Sequence, residues 1–154
     1  MIRAFRLCKT KFLTSAFSGE GARLNGGRWN SPGLAMVYTS SSLSLATLEM
    51  LVHLEDPAAF ARLFSWVPLE IPEDLMERLD SATLSDRWCD DETNSSSQFI
   101  GDAWLRSMRT SVLEVPSVVT LGESNYLLNP AHPRFPEIQI GEPRRFQPDS
   151  RLIS

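Results

Sequence analysis

The chain has 154 residues at 17.3 kDa, with 42% hydrophobic residues, 9% aromatics and a mean hydropathy of −0.16. That describes one domain over residues 1–154, because two would each be too small for a good core. No apolar run approaches the roughly 20 residues of a membrane span. Residues 1–6 lack the apolar stretch of a secretory signal, so the chain is expected to be cytoplasmic. The net charge of −4 and a pI of about 5.2 argue against direct contact with nucleic acid, which needs a basic face.

Charge is unevenly spread. Residues 1–33 hold six basic groups against one acid, and residues 34–102 hold three against thirteen. Arginine outnumbers lysine thirteen to two, and arginine has the planar fork suited to phosphate and carboxylate. High-GC coding produces the same bias. The two cysteines, Cys8 and Cys89, form no CxxC, and His53 and His132 show no ligand spacing. No metal site and two reduced thiols are therefore expected.

In chain order, Ile2 to Leu7 alternates as a first strand, ending near Cys8. Residues 18–33 form a long loop containing five of the eight glycines. Leu34 to Thr39 is a short strand. Ser40, Ser41 and Ser42 offer caps to a helix over Leu43 to Leu54, which Asp56-Pro57 ends. Residues 62–71 read as a strand, with Pro68 marking an edge or an end. Pro72 to Leu79 reads as a short acidic helix, and residues 80–97 as polar loop with a little helix around Trp88. Gln98 to Met108 has apolar residues at helical spacing. Ser111 to Leu121 is a strand broken by Pro116, Tyr126 to Pro130 a short strand or turn, Glu137 to Ile140 a last strand, and Arg144 to Ile153 a tail. This mixture lacks a regular βαβ alternation, so the fold class is α+β.

Four features carry chemistry. On a helical wheel Glu49 has Leu45, Ala46, Val52 and His53 within about 60° on either side, which puts it near the middle of the face to be buried. A carboxylate there is costly unless partnered, so it is either ion-paired to an arginine or a site carboxylate at a cleft edge. Gly26-Gly27-Arg28 allows close backbone approach, followed by a guanidinium able to clamp phosphate. It matches neither GxxxxGK[ST] nor GxGxxG, and a turn with a solvated arginine fits it too. Tyr38, at the end of a strand, either packs or presents its ring to a planar ligand. Ser117 lies outside any GxSxG elbow and reads as a positioning hydroxyl rather than a nucleophile. The run Asp86 to Glu92, the Arg144-Arg145 pair and His132 read as surface or structural.

Six segments then fall into a known order: Gly26-Gly27-Arg28-Trp29-Asn30, Val37-Tyr38-Thr39, Leu45 to Glu49, Ile100 to Leu105, Val115-Pro116-Ser117 and Asn125 to Pro130. In this the chain resembles the RES-domain family of bacterial toxins, named for Arg, Glu and Ser motif residues that match Arg28, Glu49 and Ser117. The resemblance runs from Phe5-Arg6 to Leu152. It implies a single domain similar to ADP-ribosyltransferase toxins, with a split, mixed sheet, flanking helices and an NAD-binding cleft.

It further implies a toxin of a type II toxin–antitoxin system that depletes NAD by hydrolysis or phosphorolysis of the nicotinamide–ribose bond and inhibits growth. Some members are mono-ADP-ribosyltransferases acting on a cytosolic protein. The partner implied is an Xre-type helix-turn-helix antitoxin that blocks the cleft, with a toxin homodimer inside the complex. Carried onto this chain, Arg28, Glu49 and Ser117 are the catalytic residues. Arg6, Arg28, Tyr38, Glu49, Ser117 and Asn125 bind NAD, which is substrate, with no metal. Arg28 and, more weakly, Arg6 take the pyrophosphate; Tyr38 walls the nicotinamide; Glu49 holds the ribose and stabilises an oxocarbenium-like transition state; Ser117 and Asn125 orient ribose or carboxamide. Glu49 is the lone acid of its helix face, so water or phosphate is the expected acceptor rather than a protein side chain. A non-enzymatic binding partner and an RNase are the readings from other classes. The first is disfavoured because Arg28, Tyr38, Glu49 and Ser117 are all present, the second by the acidic pI.

Overall fold

The computed structural model describes residues 1–90 and 95–153. All its strands join one sheet. They are β1 (Ile2–Lys9), β2 (Val37–Ser40), β3 (Phe64–Ile71), β4 (Met76–Arg78), β5 (Val112–Pro116), β6 (Ser124–Leu128), β7 (Gln139–Ile140) and β8 (Arg144–Arg145). Their order is β4-β5-β6-β2-β1-β3-β7, with β8 also beside β3. Only β4 and β5 run parallel. The helices are α1 (Glu20–Asn25), α2 (Leu43–Leu51), α3 (Phe60–Leu63) and α4 (Ser95–Ser107). This is the expected α+β fold.

The sheet is split in the middle. β1 and β3 are in register over eight pairs, from Ile2 opposite Ile71 to Lys9 opposite Phe64. β2 and β6 share four pairs and β5 and β6 five. Between these halves, β1 and β2 share one registered pair, Phe5 opposite Ser40. Where the ladder stops, Arg6 takes its place: Nη1 donates to the Tyr38 carbonyl at 3.2 Å and Nε to the Ala16 carbonyl at 3.0 Å.

Strand alternation sorts the core. Leu7, Leu113, Val115 and Leu127 point to the face covered by α2 and α4, where they meet Ala46 and Phe60 on one half and Trp29, Trp104 and Leu105 on the other. Ala4, Val37, Val112, Tyr126 and Leu128 fill the opposite face with Leu75 and Ile138. Tyr38, Ser40 and Asn125 share the helix-covered face by the same register.

Several boundaries differ from the sequence reading, for tertiary reasons. The glycine-rich stretch holds α1, with Arg23 paired to Glu20. α2 starts where expected, the Ser42 hydroxyl accepting from the Leu45 N–H at 3.0 Å, but ends at Leu51. Val52 and His53 therefore leave the helix and are exposed. The acidic stretch after Pro72 is one 3-10 turn (Glu73–Leu75) followed by β4, because Met76–Arg78 finds a parallel partner in β5. β3 is interior, yet Pro68 sits between the two short edge strands β7 and β8, where a missing N–H costs little. α4 starts earlier than read, at Ser95, and β5 stops at Pro116.

Leu127 is fully buried in β6 between β2 and β5. Leu127→Ala should lower the unfolding free energy in urea by about 2–5 kcal/mol. A loss below about 1 kcal/mol would contradict this placement of the core.

Candidate active site

Glu49 is half-buried near the end of α2. Its Oε1 accepts from the Ser117 hydroxyl at 2.6 Å and from the Asn125 amide at 2.7 Å. Ser117 follows β5, and Asn125 lies in β6 beside Ser40. Both are themselves fixed. The Ser117 oxygen accepts from the N–H groups of Val119 (3.1 Å) and Thr120 (3.0 Å), and the Ser40 hydroxyl donates to Asn125 Oδ1 at 2.7 Å. Among the described residues no cation pairs with Glu49, and its Oε2 has no protein partner. The ion-pair reading of this residue is thereby set aside. The Ser117 hydroxyl, with its proton on Glu49 and its lone pairs on two amides, is built to orient the carboxylate.

Two residues back along β2, and so about 7 Å away on the same face, Tyr38 anchors the arginine loop. Its hydroxyl donates to Asn30 Oδ1 at 2.6 Å and accepts from the Trp29 N–H at 3.0 Å. Asn30 is fully buried, and its amide ties the carbonyls of Ala22 (2.8 Å) and Leu34 (3.0 Å). Gly27 is required here, since a Cβ would stand 2.6 Å from the Tyr38 oxygen. The Arg28 guanidinium reaches the Trp88 carbonyl at 3.3 Å and lies 5.9 Å from the Trp88 ring centroid. No carboxylate among the described residues pairs with it. By contrast, Arg23, Arg78, Arg109, Arg134 and Arg151 all hold acids.

Of the residues singled out in the sequence, Glu49, Ser117 and Asn125 therefore meet directly, and Arg28 and Tyr38 form a second group beside them. Arg6 meets backbone carbonyls instead. Its burial lowers its pKa, and the neighbouring Cys8 thiol is pushed up by burial in turn. Ser40, a capping candidate in the sequence, instead holds Asn125; its place two residues after Tyr38 on one strand is the signal that puts it on the same face. His132 is structural: Nε2 bonds the Met108 carbonyl at 3.0 Å, and Nδ1 accepts from the Arg134 N–H at 3.0 Å. Cys8 and Cys89 are free thiols. In the acidic run, Arg87 lies 4.0 Å from Asp90, while Asp91 and Glu92 lie outside the described residues. Among the described residues no three His, Cys, Asp or Glu side chains cluster as metal ligands, and no helix is long and apolar enough to cross a membrane.

Burial pushes the Tyr38 phenol well above its ordinary value, outweighing its hydrogen bonds to the loop, and burial followed by the Glu114 carboxylate raises Tyr126. A raised phenol contributes stability that is complete below the unfolded value of about 10 and is lost as pH rises beyond it. The two tyrosines of the chain should thus show little tyrosinate absorbance at about pH 10 while folded. Half-ionisation there would contradict the locked Tyr38.

Comparison with known proteins places the chain in a family. The family model described as the RES domain matches residues 3–149. A protein of Sphingobium sp. (strain YBL2) named Prs ADP-ribosylating toxin is 38% identical over 139 residues, spanning 88% of this chain and 86% of its own length. Toxin Res of Photorhabdus laumondii is 37% identical over 150 residues, spanning 97% and 96%. A chain of the M. tuberculosis MbcT–MbcA toxin–antitoxin complex superimposes with a TM-score of 0.77 over 97% of this chain and 86% of that one, at 18% identity, which shows a shared fold. Matched by that model over nearly its whole length, the chain belongs to the RES domain family.

Proposed function

We propose that the chain is the toxin of a toxin–antitoxin pair and that it breaks the nicotinamide–ribose bond of NAD. The observation that carries this is Glu49: a carboxylate fixed by two neutral donors and, among the described residues, without a cation, its network joined through Ser40 to the strand whose Tyr38 holds the loop of Arg28, which pairs with no acid among those residues. One group suits a developing positive charge and the other a diphosphate.

Arg28 would clamp the pyrophosphate through its forked N–H groups. Tyr38 would wall the nicotinamide side of the cleft, with Arg6 bracing the strand that carries it. Oε2 of Glu49 would accept from a hydroxyl of the nicotinamide ribose. As the C1–N bond breaks, the electron pair leaves with nicotinamide, whose ring becomes neutral, so the departure needs no acid. The positive charge moves to the ribose ring, where the preorganised carboxylate stabilises it. Water then adds to C1 and releases a proton, giving ADP-ribose; phosphate in its place gives ADP-ribose 1-phosphate. Ser117 and Asn125 hold the carboxylate for this step. An antitoxin of the Xre helix-turn-helix class would silence the chain by covering the cleft. The second reading, transfer of ADP-ribose to a cytosolic protein, is favoured by the relative named as an ADP-ribosylating toxin.

Incubation of the purified chain with NAD, with and without phosphate, should release nicotinamide. Glu49→Gln should slow release by about 10² to 10³-fold, and Arg28→Ala and Glu49→Ala should each end growth arrest in cells while remaining soluble. No release at high enzyme concentration would overturn NAD cleavage, and label passing from NAD to a lysate protein would favour transfer. A fully toxic Glu49→Ala would remove Glu49 from the mechanism.

A further inference from the structure

The first two turns of α4 make contacts that a core helix does not need. Ser97 donates its hydroxyl to the Arg28 carbonyl, and Gln98 Nε2 donates to the Gly27 carbonyl at 2.8 Å. One turn on, Gly101 lies so close to the loop that a Cβ would fall 1.7 Å from the Trp29 carbonyl oxygen. Next to it, Asp102 accepts from the Ser31 N–H at 2.9 Å and from the Ser31 hydroxyl at 2.6 Å. Positions 97, 98, 101 and 102 lie on one side of a helix.

Together these contacts anchor the peptide planes on both sides of the Arg28 Cα. With each plane rigid, fixing both fixes the φ and ψ of residue 28. The side chain itself is held lightly, by a 3.3 Å hydrogen bond to the Trp88 carbonyl and a 5.9 Å approach to the Trp88 ring. Asp102 is only 7% exposed and, among the described residues, has no cation beside it. Burying a carboxylate to hold one serine is a poor way to gain stability, since an apolar residue would pack there without desolvation cost. It is a good way to set a direction.

We propose that α4 is the positioning element of the anion clamp: Gln98, Gly101 and Asp102 act through the Gly27–Ser31 backbone to aim Arg28 at the diphosphate of the substrate. This rests on the reading above that Arg28 takes the diphosphate. It assigns a task to the glycine and the aspartate of the Ile100 to Leu105 segment, neither of which touches Glu49. All three are positioning residues, since they act through Arg28.

The test uses the full-length chain with ADP-ribose as a calorimetric probe and NAD as substrate. Gln98→Ala and Asp102→Ala should each weaken ADP-ribose binding about fivefold to tenfold, because a clamp that has lost one or two loop hydrogen bonds is aimed less well. KM for NAD should rise in parallel, with kcat within about twofold. Asp102→Asn should restore binding, because its oxygen still accepts from the Ser31 N–H and its amide donates to the Ser31 hydroxyl. In an Arg28→Ala background, Gln98→Ala should add nothing further. Should Asp102→Ala not fold, Gln98→Ala decides, since that half-exposed side chain contributes one hydrogen bond to the loop and its removal should lower the thermal midpoint by no more than about 4 °C.

Unchanged affinity in Gln98→Ala, a fall in kcat without a rise in KM, or an equal penalty with and without Arg28 would overturn the clamp. If the unaltered chain binds ADP-ribose yet releases no nicotinamide, NAD cleavage fails and the clamp is judged on affinity alone. If it releases nicotinamide yet binds no ADP-ribose, the clamp fails and NAD cleavage stands.

Discussion

Glu49 lies half-buried with two neutral donors on one oxygen and, among the described residues, no cation beside it. Such a placement costs free energy, and much of the surrounding structure is arranged to sustain it. The donors come from distant parts of the chain, 68 and 76 residues away. Ser117 is placed because β5 ends at Pro116 and the next turn aims two backbone N–H groups at its oxygen. Asn125 is placed because β6 pairs with β2, where Ser40 holds the other end of its amide. An arginine beside Glu49 would stabilise the carboxylate and cancel the field that the proposed mechanism uses.

β2 is the ruler of the site. Its four residues put Tyr38 and Ser40 on one face, so the same short strand supports the arginine loop and the glutamate network. The split beside it follows from the same geometry: β1 and β2 part after a single pair, and Arg6 bridges the opening with N–H groups to two carbonyls. A buried arginine in that role explains part of the arginine excess, since a lysine has no planar fork with which to reach two carbonyls.

The sequence made the fold class, the capped start of α2 and the candidate status of Glu49 and Arg28 legible, because each rests on local pattern. The helical wheel accounts for only part of the setting of Glu49. Val52 and His53 do not flank it in a buried face, since α2 ends at Leu51 and both are exposed. Glu49 is shielded by Ser117 and Asn125, which no helical wheel includes. β4 was hidden for a similar reason: Met76-Glu77-Arg78 has no strand signature of its own and becomes a strand only against β5. The site role of Ser40 and the loop contacts of Ser97 and Gln98 were missed because serine and glutamine at helix starts have ordinary capping explanations. Order in the chain, rather than any one motif, carried the family resemblance.

The central claim is that Glu49 and Arg28 divide one substrate between them. The most direct measurement is a crystal structure of the Glu49→Gln variant with NAD bound. The account predicts the nicotinamide ribose against the side chain of residue 49 and the diphosphate within about 3 Å of the Arg28 guanidinium. A diphosphate bound elsewhere, with Arg28 still turned to the Trp88 carbonyl, would contradict it.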